Sequence, residues 1–249
     1  MSAVSHSQIR AVLFDLDDTL YPEIAFVKSG FRAVSHAFET PEFSASFLYS
    51  RLESLFLEDR KHVFDHLACE IVSVVRHGAG TNEDLELEIK GLAESMLWCY
   101  RNHEPTITLH EDAQRTVTVL KQRGYAVGII TDGLHEVQKR KVAALKLNEL
   151  ADIIIYTDEL GPNRQYWKPS PKAFVLAVER LRLSPWEVYY VGDNPEKDFG
   201  GPLAIGMNAA WIRREAGIYG NLRPTQEQAI LKIDSLTCLL KMLLPEPVI

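Results

Sequence analysis

Asp15 and Asp17 stand one residue apart, directly after the apolar run Ala11-Val12-Leu13-Phe14, with Thr19 close behind. Phosphoryl chemistry often starts from such a pair. Asp and Thr after a strand also serve as turn residues or as the N-cap of the next helix, so the pair alone leaves both readings standing. A calcium loop also opens D-x-D, but it needs Gly at its sixth position and Glu at its twelfth, where this chain has Leu20 and Phe26. The apolar run itself reads as a strand buried on both faces of a parallel sheet. The acids then leave from its carboxyl end, where open α/β sheets gather their ligands. Period-two alternation puts Asp15 and Asp17 on the same side.

Two further sites follow apolar runs in the same way. Gly124 to Ile130 ends in Thr131-Asp132-Gly133, and Val188 to Val191 ends in Gly192-Asp193-Asn194-Pro195-Glu196-Lys197-Asp198. Between them, Trp167-Lys168-Pro169-Ser170-Pro171 sets a lysine just before a helix start. In this order and strand context the segments resemble the four motifs of the haloacid dehalogenase superfamily, whose members are mostly phosphatases. The resemblance covers roughly residues 8 to 20 and 109 to 212. It implies Asp15 as nucleophile and Asp17 as acid/base, with Thr131, Lys168 and the backbone of Asp132 and Gly133 holding the phosphoryl group. It also implies Mg²⁺ bound by Asp15, Asp193 and the backbone carbonyl of Asp17, with Asn194 and Asp198 supporting these ligands. The dehalogenase branch has no acid at the position of Asp17, so the resemblance is to the phosphatase and mutase branch. Asp18 reads as a local hydrogen-bonding residue.

The chemistry is coherent residue by residue. A carboxylate can take a phosphoryl group as an acyl phosphate and divide hydrolysis into two easier steps, provided its charge does not repel the phosphate. A divalent cation with oxygen ligands removes that repulsion. Lys168 supplies a positive charge and Thr131 a hydroxyl donor, while the N–H groups of Asp132 and Gly133 can form an anion-binding concavity. A leaving alkoxide needs a proton, and the group that gives it can take one back from the attacking water.

The chain has 249 residues and a net charge of −7. That length allows a large core, and an acidic balance without a basic block argues against nucleic acid as a partner. Met1 to Ser7 lacks a basic stretch followed by an apolar run, and no stretch is long enough to span a bilayer. A cytoplasmic protein without a membrane partner is expected. Cys69, Cys99 and Cys238 are odd in number and far apart and form no C-x-x-C pair, which suits buried or free thiols in a reducing compartment.

Between the first two motifs the texture changes. Amphipathic helices are expected at about Ile24 to Phe38, Pro41 to Leu57, Arg60 to Arg76 and Asn82 to Asn102. Thr81 and Asp84 resemble a capping box opening the last of them. Such a bundle, by its place in the chain, resembles the family's helical cap, whose closure would exclude water and favour small metabolites as substrates. His62 and His66 have metal-ligand spacing but no evident third ligand, so a polar helix face is the better reading. Gly78-Ala79-Gly80 reads as an interhelical connection, and Gly217 and Gly220, near Arg213 and Arg214, as a loop after a core strand.

The core pattern continues as helix Leu134 to Leu147, strand Ile153 to Tyr156, helix Pro171 to Leu183, strand Val188 to Val191, a helix near Pro195 to Ile205 and strand Ala209 to Ile212. A final helix is expected from Thr225 to Leu244. Arg164, Tyr166 and Trp167, in the loop before Lys168, either touch a substrate or cover the sheet. The expected architecture is thus α/β: a Rossmann-like parallel sheet core, residues 1–20 and 109–249, with an inserted α-helical cap, residues 21–108. The expected function is a Mg²⁺-dependent phosphatase acting on a small phosphomonoester such as a sugar phosphate or nucleoside monophosphate. A phosphomutase and a non-catalytic phosphometabolite-binding protein are the alternatives, and monomer and homodimer both remain open.

Overall fold

The computed structural model describes residues 8–75, 81–214, 217 and 230–244. Met1 to Ser7, Gly78-Ala79-Gly80 and Gly220 lie outside the described residues, as do residues 225–229 of the expected final helix. The chain divides into two compact units, one of Met1–Glu23 with Ile107–Ile249 and one of Ile24–Thr106.

The first unit is built on a six-stranded sheet of order β3-β2-β1-β4-β5-β6. Its strands are β1 (Ala11–Phe14), β2 (Ala126–Thr131), β3 (Ile153–Tyr156), β4 (Val188–Gly192), β5 (Asn208–Ile212) and β6 (Ile230–Ile233), and every pairing is parallel. β1 is central, with Phe14 level with Ile129 of β2 and Val191 of β4. Its four residues are fully buried, as a strand covered on both faces requires. The chain goes from β1 to β2 and β3 on one side, then crosses back to β4 on the other. This reversal creates the crevice in which doubly wound sheets bind ligands, at the carboxyl ends of β1, β2 and β4.

Helices α5 (Glu111–Gln122), α6 (His135–Ala144), α7 (Lys172–Leu181), α8 (Gly200–Ala204) and α9 (Leu236–Leu243) complete this unit. On one face Ala173, Phe174, Ala177 and Val178 of α7 pack with Leu13, Ile130, Ile155 and Tyr190 from four different strands. α5 was not anticipated, although Ala113, Thr116, Val117 and Leu120 are its buried stripe. The expected helix Thr225 to Leu244 is corrected: Ile230 to Ile233 is strand β6, and only Leu236–Leu243 is helical. Ile230 and Ile233 are buried beside the edge of β5, and pairing there satisfies backbone groups that an isolated helix turn would not. The expected helix from Pro195 shortens to Gly200–Ala204, because Asn194 to Phe199 is a turn closed by the Asp198 carboxylate on the Asn194 N–H at 2.8 Å.

The second unit contains α1 (Glu23–Ala37, beginning one residue earlier), α2 (Ala45–Glu58), α3 (Val63–Val75) and α4 (Asn82–Asn102). Phe31, Val34, Leu48, Leu52, Leu55, Leu67 and Met96 form its own apolar core. The Thr81 hydroxyl accepts the Asp84 N–H at 3.2 Å and the Asp84 carboxylate accepts the Thr81 N–H at 3.0 Å, closing the expected capping box. Arg51 on α2 forks onto Glu70 on α3. His62 stands just before α3, bonded to Asp59 at 2.7 Å and stacked on His66. Among the described residues, no helix is long and apolar enough to cross a membrane.

Candidate active site

Asp15 follows β1 directly, and its backbone N–H continues the ladder to the Val191 carbonyl at 2.8 Å. Its carboxylate therefore emerges at the central crevice. Lys168 reaches it from the loop before α7, with Nζ 2.5 Å from Asp15 Oδ1, 2.6 Å from Asp198 Oδ1 and 3.0 Å from the Tyr190 hydroxyl. All four side chains are buried. Gly192 is required at the end of β4, because a Cβ there would collide with the Asp198 carboxylate. Asp193, the next residue, accepts the Thr19 hydroxyl at 3.3 Å, and its carbonyl accepts the Trp211 indole N–H at 3.0 Å.

Carboxylate oxygens of Asp15, Asp193 and Asp198 lie within 4.8 Å of one another, the one such group found among the described residues. Lys168 touches two of the three and offsets one of their charges. Burial, then the charges of Asp198 and Asp15, push Asp193 up to about 9. Burial likewise pushes Asp15 up to about 6, against the pull of Lys168. Asp198 goes the other way: burial opposes its charge, but Lys168, Lys197 and the Asn194 N–H outweigh it and hold it low. Among the described residues, Lys168 and Lys197 are the cations acting on Asp15 and Asp198, fewer than the three acids. Buried, oxygen-only and in excess of anionic charge, the cluster fits a hard divalent cation.

Asp17 lies apart from this cluster. Its Oδ1 accepts from the Tyr21 hydroxyl and from Lys141 Nζ at 2.7 Å, and its Oδ2 accepts from Gln138 Nε2 at 2.8 Å. Burial opposes its charge, but these three donors outweigh that and lower its pKa. Asp18 is occupied locally, accepting the Glu23 N–H at 2.8 Å where α1 begins. Glu23 itself is pushed up to about 7 by burial and by the charge of Asp17.

At the end of β2, the Thr131 hydroxyl oxygen accepts Gln138 Nε2 at 2.5 Å, while its own hydrogen has only a 3.4 Å approach to the Asp132 carbonyl. The Asp132 side chain pins the loops, taking the Thr157 hydroxyl at 2.7 Å and the Lys168 N–H at 3.1 Å, with Lys197 Nζ 3.8 Å away. Gly133 has φ 128°, a left-handed conformation that side chains disfavour, and a Cβ there would also stand 3.0 Å from Gln138 Cδ. In the loop before Lys168, the Arg164 guanidinium covers the Trp167 ring at 4.6 Å.

The motif acids, Thr131 and Lys168 thus meet at three neighbouring strand ends. Tyr21, Gln138, Lys141 and Tyr190 were not anticipated. Tyr190 sits inside an apolar strand, and Gln138 and Lys141 look in sequence like the solvated face of a polar helix. The one signal is their spacing of three, which puts them on one side of α6.

The sequence model of the haloacid dehalogenase-like hydrolase family matches residues 9–206. A glyceraldehyde 3-phosphate phosphatase of Methanopyrus kandleri is 29% identical over 229 residues, covering 89% of this chain and 91% of the relative. The Pyrococcus furiosus protein of the same name is 30% identical over 216 residues, covering 83% and 81%. The crystal structure of a HAD phosphatase from Thermococcus onnurineus superimposes with TM-score 0.56 at 26% identity, covering 96% of this chain and all of that one. With its parallel sheet, its acidic crevice and a family match across most of its length, the chain belongs to the haloacid dehalogenase-like hydrolases.

Proposed function

We propose that this enzyme is a Mg²⁺-dependent phosphatase that hydrolyses a small phosphomonoester through an aspartyl phosphate on Asp15. The observation that carries the reading is the buried contact of Lys168 with Asp15 and Asp198, beside Asp193, with a second acid two residues after Asp15. The two relatives described above are both named glyceraldehyde 3-phosphate phosphatase, which favours sugar phosphates within the substrate class.

Asp15, Asp193 and the Asp17 carbonyl would hold Mg²⁺, with Asp198 and Asn194 supporting them. Bound there, the ion supplies Lewis-acid charge neutralisation between the nucleophile and the phosphate. Lys168 holds Asp15 by one oxygen, so the nucleophile is oriented before substrate arrives. A carboxylate oxygen of Asp15 then bonds to phosphorus as the bond to the leaving oxygen breaks, and Asp17 gives that oxygen its proton. In the second half, water bonds to phosphorus, Asp17 takes its proton, and the bond to Asp15 breaks. Thr131, the N–H groups of Asp132 and Gly133, and Lys168 receive the phosphoryl oxygens.

Phosphate release from a panel of metabolite phosphates, with Mg²⁺ and with chelator, tests the reading. Wild-type protein should release phosphate only with the metal, and Asp15→Asn should lose several orders of magnitude while keeping its circular dichroism. Substantial turnover by folded Asp15→Asn protein overturns the assignment.

A further inference from the structure

Outside the four motif segments, two polar side chains of α6 are buried, Gln138 at 2% exposure and Lys141 at 4%. Burying an ammonium and an amide is costly unless each finds partners, and a surface helix would leave both in water. Here both converge on one carboxylate, Lys141 on Asp17 Oδ1 at 2.7 Å and Gln138 on Asp17 Oδ2 at 2.8 Å. The Gln138 amide also reaches Thr131 Oγ1 at 2.5 Å and rests against Gly133, where a Cβ would stand 3.0 Å from its Cδ.

We infer that Gln138 and Lys141 are a positioning pair that locks the Asp17 carboxylate to the Thr131 hydroxyl, leaving the Asp17 oxygen that faces Gln138 to exchange the proton with substrate. The inference rests on the phosphatase reading and goes beyond it. Each carboxylate oxygen has two lone pairs. Oδ1 spends both, on the Tyr21 hydroxyl and on Lys141. Among the described residues, Oδ2 accepts from Gln138 alone, which leaves one lone pair for the proton. In the first half-reaction Oδ2–H loses its proton to the leaving oxygen as the phosphorus–oxygen bond breaks. In the second, Oδ2 takes a proton from the water that bonds to phosphorus while the Asp15 oxygen leaves. The two hydrogens of the Gln138 amide divide between Asp17 and Thr131, so one side chain registers the proton-transfer group with a phosphoryl donor. With one lone pair engaged by Gln138, the Thr131 hydroxyl keeps its hydrogen, 3.4 Å by heavy atoms from the Asp132 carbonyl, for a phosphoryl oxygen.

The test compares Lys141→Met, Lys141→Arg and Gln138→Leu, alone and in the Asp17→Asn background, on an alkyl phosphate and on nitrophenyl phosphate with Mg²⁺. Lys141→Met should lower kcat/KM, which reports phosphoryl transfer to Asp15, by about 10²-fold for the alkyl ester and by less than about 10-fold for the aryl ester, since nitrophenolate leaves without an acid. Added to Asp17→Asn it should cost nothing further, because it acts through a group already removed. Lys141→Arg should restore part of the loss. Gln138→Leu should in addition weaken competitive inhibition by inorganic phosphate, which Lys141→Met should not. If Lys141→Met does not fold, Lys141→Arg and Gln138→Leu carry the same comparison. Equal losses of kcat/KM on both esters, or losses that multiply in full with Asp17→Asn, overturn the inference and leave the phosphatase reading standing. No phosphate release by wild-type protein from either ester overturns both.

Discussion

At the residue scale the site is a problem of charge. Asp15, Asp193 and Asp198 crowd one ammonium, whereas Asp17 is paired with Lys141 and is held as a carboxylate. An acid/base group with a lowered pKa is ready to accept a proton, so the proton it first delivers must arrive with a substrate bound as the monoanion. The titration limb of Asp17 lies below the usual carboxylate range, and a fall in kcat/KM at higher pH therefore belongs to the substrate. For an alkyl phosphate the fall should begin at about pH 6, the second ionisation of a phosphomonoester, and it should move down for an ester with a lower second pKa. A limb that stays in place when the ester is changed contradicts this. The motif residues were legible because acids, a threonine and a lysine at strand ends have few structural uses. Gln138, Lys141 and Tyr21 were not, since a buried polar side chain is recognised only through its partner, here a carboxylate 121 and 124 positions from the two on α6.

Elements were legible where their apolar pattern was unambiguous. β1 and β4 are unbroken apolar runs, and α4 carries its capping box in sequence. Ile230-Leu231-Lys232-Ile233 failed because a four-residue apolar run suits a strand or a helix turn equally, and pairing with β5 decides it. α5 was missed because its buried stripe includes a threonine and two of its first residues are acids. Packing links these elements to the site through Phe174, fully buried on α7 and edge-on to Tyr190 at 4.8 Å. Tyr190 in turn touches Lys168 and Asp198. Phe174→Ala should cost about 3–5 kcal/mol in chemical denaturation, the usual range for an aromatic lost from a core. It should also lower turnover by freeing Tyr190. A loss below about 1 kcal/mol would mean that the cavity collapses without strain.

On the scale of the whole molecule, distant segments are fastened by ion pairs as well as by the sheet. Arg214, beyond β5, forks onto Asp112 at the start of α5 at 2.9 and 3.0 Å and donates to the Thr19 carbonyl at 3.0 Å. Asp112 also accepts the Leu236 N–H at 2.8 Å, where α9 begins. Burial opposes the Asp112 charge, but Arg214 and the Leu236 N–H outweigh it and lower its pKa. A carboxylate lowered in the folded state stabilises above its unfolded pKa, and that stability disappears as pH falls through the folded value. Wild-type protein should therefore exceed Asp112→Asn in stability at neutral pH, with the gap closing from about pH 5 downward. A gap that is constant through the acid range removes Asp112 from the account. The central β1 with acids at its end, and the sheet around it, follow from patterns of a few residues. The joining of Asp112, Arg214 and Leu236 does not, because it depends on which distant loops the finished sheet brings together.

Rapid mixing of Asp17→Asn protein with nitrophenyl phosphate and Mg²⁺ tests the aspartyl phosphate on Asp15 most directly. The variant keeps the nucleophile and the backbone carbonyl at position 17 but has no base for the second half-reaction. The account predicts a burst of nitrophenol approaching one equivalent of enzyme, slow turnover afterwards, and a phosphoryl group recovered on the peptide containing Asp15. Equal impairment on alkyl and aryl esters, with no burst and no phosphorylated Asp15, would contradict it.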